Sequence, residues 1–145
     1  MAKTAPPRKG KVRWKAEPED HDYPAAASYL SLVATPEEVA RVLTHLRAAA
    51  TEHFKAKDIL RAAQLDLLPA TNVHVAADLA AVQRREALSP ILLVRGDLRA
   101  GLPLQIADGY HRVCASYHVN ENTAIPCRIS PGPAAARSTA RRATT

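Results

Sequence analysis

Leu104-Gln105-Ile106-Ala107-Asp108-Gly109-Tyr110-His111-Arg112-Val113-Cys114-Ala115 is the stretch that decides the fold. Its first four residues read as a buried strand, Asp108-Gly109 as a turn, and 110–118 as a helix turning Val113, Cys114 and Tyr117 inward. A helix that starts this way leaves first-turn N–H groups free and carries partial positive charge there, which suits an anion such as phosphate. Gly109, lacking a Cβ, either permits close approach of a phosphate or relieves strain at the turn. Arg112 offers a planar fork to phosphate oxygens, against an ordinary salt bridge as the alternative. His111 donates to phosphate or shuttles a proton and is the catalytic candidate, with packing against the preceding loop as its alternative. Asp108 is read first as the helix cap and second as a carboxylate that reaches phosphate through a metal. Ionised and unshielded it would repel phosphate, so magnesium or the neighbouring cations must offset it. With Tyr110, these four complete the candidate binding set, and Arg112→Ala is expected to weaken ligand binding while leaving the fold intact.

Outward from this turn, Thr35-Pro36-Glu37-Glu38 spells a capping box with proline at the first helical position. Val39, Val42, Leu43 and Leu46 form the apolar stripe of the helix that follows, with Arg41, His45 and Arg47 off it. Residues 52–55 suggest a short strand and 57–63 a short helix. Residues 75–82 are helical by composition, with Asn72 or Thr71 as the cap. Ile91-Leu92-Leu93-Val94 is a continuous apolar run, as expected for a strand covered on both faces. Residues 124–129 form the closing strand, and Pro126 places it near an edge or at a strand start. The order is that of an α/β (α+β) domain with a small mixed sheet and short helices.

At 145 residues and 47% hydrophobic the chain has room for one domain with a modest core. No apolar run is long enough to span a membrane and no secretion-signal core is visible, so no membrane partner and a cytoplasmic location are expected. Two cysteines, Cys114 and Cys127, are too few for a disulfide framework and read as small core residues. The formal charge of +6 is unevenly spread: nine of the 20 basic residues lie in residues 1–15 and 137–142, leaving 11 against all 14 acidic ones between 16 and 130. That central segment is net −3. Residues 1–22 read as a flexible basic arm, 23–129 as the folded unit and 130–145 as a disordered basic tail. Basic ends of this kind also admit a second function class, a non-catalytic interaction module that contacts nucleic acid or an acidic partner.

The segment 52–129 resembles the ParB/sulfiredoxin-like superfamily. The resemblance rests on a helix at 75–82, the strand Ile91-Leu92-Leu93-Val94, Asp108-Gly109-Tyr110-His111-Arg112 in place of a D-G-x-H-R motif, and Ile125-Pro126-Cys127-Arg128-Ile129 in place of I-P-x-R-I. It implies a small α/β sheet domain that holds nucleotide phosphates at the start of the helix after the motif. The implied ligand is a nucleoside di- or triphosphate with Mg2+, and the implied chemistry, where there is turnover, is phosphoryl transfer or nucleotide hydrolysis. Sulfiredoxins carry cysteine where this chain has Tyr110, so the sulfinate-reducing reaction is not expected. ParB partition proteins carry G-E-R-R at this point, of which Gly109 and Arg112 match, and they use a separate DNA-reading domain that is not expected after residue 129, so partition activity is not expected either.

Two further readings compete with this one. His111, Cys114 and His118 recur along one helix with Cys127 nearby, but the spacing is not that of familiar zinc sites, and no metal ligand is assigned. Lys55 or Lys57 can approach a nucleotide in such a fold, although their stretch is also what an amphipathic surface segment shows.

Overall fold

The computed structural model describes residues 11–133. Among the described residues nine elements follow one another: α1 (Asp22–Leu30), α2 (Pro36–Ala48), β1 (Glu52–Lys55), α3 (Ala56–Ala63), α4 (Val73–Gln83), β2 (Ile91–Val94), β3 (Gln105–Asp108), α5 (Tyr110–Val119) and β4 (Ala124–Ser130). The strands form one mixed sheet in the order β1-β4-β2-β3, with β4 parallel to β2 and both outer pairs antiparallel. The fold is therefore α+β with short helices.

The apolar run of β2 shows why the sheet is covered twice. Side chains alternate across a strand, so Ile91 and Leu93 enter one core with α3, α4 and α5, while Leu92 and Val94 enter a second with α1 and α2. All four are buried. On β3, Ile106 and Ala107 divide in the same way. The result is three layers: two helices, the sheet and three helices.

Local signals explain most boundaries. The Thr35 hydroxyl accepts from the Glu38 N–H and the Glu38 carboxylate accepts from the Thr35 N–H, forming the capping box that opens α2. Asn72 opens α4 by accepting from the His74 and Val75 N–H groups. Pro126 does not mark an edge: β4 lies between β1 and β2. The proline is tolerated because the ladder to β2 begins one residue later, at Cys127 opposite Ile91, so that Pro126 faces only His53 of β1.

The expected arm also needs correction. Residues 1–10 lie outside the described residues, but 11–22 are packed on the domain. Lys15 N–H donates to the Leu88 carbonyl and Leu88 N–H to that of Arg13, both at 2.8 Å, and Trp14 packs against the larger core. Asp22 opens α1, buried, with Tyr23, Ala26 and Leu30 on its inner face. At the other end Ser130 belongs to β4 and is buried, which moves the domain's end beyond 129; of the tail, 134–145 lies outside the described residues.

Trp14 is the chain's single tryptophan, so its emission reports the docking directly. Native emission should be blue-shifted and should change together with far-ultraviolet circular dichroism during urea unfolding. Trp14→Ala should lower stability by about 1–3 kcal/mol; emission of a fully hydrated indole in the native state would contradict the docked arrangement.

Candidate functional site

Three segments distant in sequence meet at the start of α5. The β3–α5 turn supplies Asp108, Gly109, His111 and Arg112; the start of α1 supplies His21, Asp22 and Ala25; and α4 supplies His74, Ala77 and Asp78. Together they line a polar cavity of about 320 Å3. His74 and Asp78 share a helix face because they are one turn apart. The His74 and His111 rings lie 4.7 Å apart, centroid to centroid.

The turn differs from the expected cap. Gly109, not Asp108, is the N-cap of α5; it has φ 113° and ψ 17°, and no side chain caps the helix start. That left-handed conformation favours glycine. A Cβ there would also lie 2.4 Å from Ile91 Cδ1 and 2.9 Å from Arg112 Nη2. Gly109 thus lets the guanidinium lie close against the turn. Asp108 is directed to Arg112 instead, accepting from Nη2 at 2.8 Å.

Arg112 has a second acidic neighbour. Its Nη1 lies 3.7 Å from Asp22 Oδ1, and all three side chains are largely buried, at 15%, 20% and 3% exposed for Arg112, Asp108 and Asp22. Asp22 is held from behind: its other carboxylate oxygen accepts from the Ser89 hydroxyl and, at 2.9 Å, from the Glu19 N–H. Burial opposes charge on Asp22, but these hydrogen bonds, with the charges of Arg112 and His21, outweigh it and hold the carboxyl below its ordinary pKa. Asp108 moves the other way, raised by burial and by Asp22 despite Arg112. Two acids share one guanidinium, and Asp22 takes the charge first. Burial also raises Asp78, against the attraction of Arg112, His111 and His74. His111 is lowered, by burial first and then by His74 and Arg112, so its ring is neutral at pH 7.

The remaining sequence candidates lie elsewhere. Tyr110 does not line the cavity; its hydroxyl donates to the Asp66 carbonyl at 2.6 Å. His118 Nε2 is 2.7 Å from the Leu68 carbonyl oxygen, while Cys114 and Cys127 are core residues, so the histidines and cysteines weighed for zinc do not converge. Burial raises both thiols, Cys127 to about 12. Lys55 and Lys57 are not among the cavity residues. Among the described residues no group of three or more His, Cys, Asp or Glu side chains is arranged to hold a metal ion. With Asp22 and Asp108 engaged by Arg112, the donor set does not suit a resident magnesium. Among the described residues no helix is long and apolar enough to cross a membrane.

Sequence reasoning assigned no role to His74 and placed His21 and Asp22 in the arm. The one signal available was the spacing of His74 and Asp78 along α4. No protein family, curated protein or solved structure matches the chain.

Arg112→Ala is expected to disturb the fold, contrary to the reading from sequence, because it strips two buried carboxylates of their cation. A loss of about 2–4 kcal/mol should appear in urea unfolding at neutral pH. Asp78→Asn works the other way. An acid whose pKa is raised on folding binds more protons in the folded state, so its charge subtracts from stability as pH rises through the folded pKa. The variant should therefore melt higher than the parent at about pH 7, and the difference should vanish by about pH 2.5, more than a unit below the unfolded carboxylate's pKa, where Asp78 is protonated in both states. Thermal melts at the two pH values check this.

Proposed function

We propose that this domain binds a nucleotide or another phosphorylated ligand at the start of α5. The observation that carries the reading is the helix start itself: no side chain caps it, and it opens onto a polar cavity lined by His111 and Arg112. Amides at such a start, together with the helix dipole, favour a phosphate group. The resemblance of 52–129 to the ParB/sulfiredoxin-like superfamily supports the same ligand class.

Arg112 has five N–H donors, and Asp108 and Asp22 do not exhaust them. A phosphate oxygen shares the guanidinium with these acids while the α5 amides supply the remaining contacts. Where turnover accompanies binding, the reaction class is phosphoryl transfer or nucleotide hydrolysis. The neutral imidazole of His111 takes the proton from the attacking hydroxyl or water, the new P–O bond forms as the bond to the leaving phosphate breaks, and Arg112 with the amides balances the charge on the transferring group.

A thermal-shift and calorimetric screen of ATP, ADP, CTP, GTP and inorganic phosphate, each with and without magnesium, tests the reading. A true ligand at 100 times its Kd should stabilise the fold by about 2.7 kcal/mol. Arg112→Lys, which keeps the charge beside Asp108 but loses the fork, should weaken that ligand by about tenfold or more. If no phosphorylated compound raises the melting temperature, the reading is wrong.

A further inference from the structure

The larger of the two cores is open at one end. Where β2 runs out and β3 begins, Phe54, Ile59, Leu93, Leu104 and Ile129, all part of that core, line a cavity of about 470 Å3. A water molecule takes about 30 Å3 in the liquid, and close-packed interiors hold few voids larger than one water, so this space is no packing defect. Its volume falls in the range of sites that enclose a small molecule. The cavity at the start of α5 lies at the opposite end of the β2–β3 pair, so the two spaces are separate and neither reading depends on the other.

One wall is the connection between the two strands. Asp97 and Leu102 close it through two backbone hydrogen bonds of 2.9 Å. Gly96 lets it fold back tightly, since a Cβ there would lie 2.4 Å from the Leu102 carbonyl oxygen. The Leu104 N–H donates to the Ala62 carbonyl at 3.0 Å and fastens the connection to the end of α3. The base is thus held, yet Leu98 and Leu102, which also line the cavity, are 99% and 54% exposed. Two leucines left in water beside an apolar recess gain from a ligand that covers them.

The charges at the mouth select the ligand's polar end. Arg61 and Arg95 border the cavity with Asp58 and Asp97, and the connection adds Arg99. Asp97 is already engaged: its Oδ1 accepts from the Arg99 and Ala100 N–H groups at 3.0 and 3.2 Å. Among the described residues Arg61, Arg95 and Arg99 enter no ion pair. Three guanidinium groups against two carboxylates leave a formal charge of +1. The described chain also ends at this mouth, where a Cβ on Gly132 would lie 2.9 Å from the Arg95 carbonyl oxygen. Residues 134–145, attached there, carry Arg137, Arg141 and Arg142 and no acid. They also hold no large apolar side chain that would fill the recess.

We propose that this cavity is a second ligand site, which takes a free organic acid with an apolar body. An acyl chain or aromatic ring lies in the recess against Leu98 and Leu102, and the carboxylate pairs with Arg61 and Arg95.

Decanoate, decanol and decyltrimethylammonium share one chain and differ in head group, which makes them the probes. Binding to the full chain at neutral pH is followed by calorimetry and by the methyl resonances of Ile59, Leu93, Leu104 and Ile129. Decanoate should shift these methyls and bind about tenfold tighter than the ammonium. In Arg61→Gln/Arg95→Gln, changed at two exposed positions, that preference should disappear while decanol still binds, which a misfolded variant could not do. Ala62→Phe places a ring in the recess from an exposed position on α3 and should abolish binding of all three. Equal affinity for the acid and the ammonium, or shifts confined to residues around the start of α5, overturns the proposal. So does decanoate binding that survives in a folded Ala62→Phe variant. Association with phosphatidylglycerol vesicles without uptake of free decanoate would mark a lipid surface instead and overturns it as well.

Discussion

One buried guanidinium holds the functional end of this molecule together. Arg112 projects from α5 between Asp108 at the end of β3 and Asp22 at the start of α1. Helix α5 packs on one side of the sheet and α1 on the other, so these ion pairs join both helical layers through the sheet's edge strand. The arrangement depends on Gly109, whose left-handed backbone and missing Cβ leave space for the guanidinium against the turn. It depends equally on residues well outside that turn. Ser89 and the Glu19 N–H compensate the desolvation of Asp22, and the Trp14 segment that precedes them is paired with Leu88, next to Ser89. An ion pair taken out of water adds little net stability on its own, but removing one member leaves the others buried and uncompensated.

The layers were legible in the sequence wherever a local rule applied. A four-residue apolar run with no polar position, 91–94, is what a strand covered on both faces shows, and the alternation of its side chains between two cores follows from the strand period. The Thr35 capping box fixed α2 for the same reason: its chemistry lies within four residues. Helix α1 was not legible. Its apolar residues are largely alanines, which give no contrast between faces, and Tyr23 and Leu30 alone define no stripe. Pro126 misled because a rule about ladder hydrogen bonds was applied to a whole strand. Only the part of β4 from Cys127 onward has partners on both sides.

About half of the cavity was legible, and the division follows sequence distance. Gly109, His111 and Arg112 occupy one turn, where a glycine beside basic residues at a helix start is itself a pattern. Asp22, His74 and Asp78 reach the same cavity from 86, 34 and 30 positions before Asp108, and nothing in a local pattern joins them. The wrong assignment of Asp108 has the same origin. Capping is the commonest use of an aspartate before a helix, but here Gly109 takes the cap position and Arg112, one turn along α5, is a stronger partner for the carboxylate.

A site built this way binds anions through a cation it already needs for its fold. Arg112 cannot swing freely toward a ligand without leaving the largely buried Asp22 and Asp108 without their cation, so an incoming phosphate has to join the pair, not replace it. The cost of joining depends on how much negative charge the cavity carries at that moment. Asp22 is fixed in its ionised form, whereas Asp78 and Asp108 are raised and His111 is lowered. One acid therefore serves as a permanent anchor, and the other titratable groups are left to adjust the field around it. The same burial that shields Arg112 from water makes its neighbours sensitive to protons, and this is how a structural ion pair and a ligand site occupy one turn.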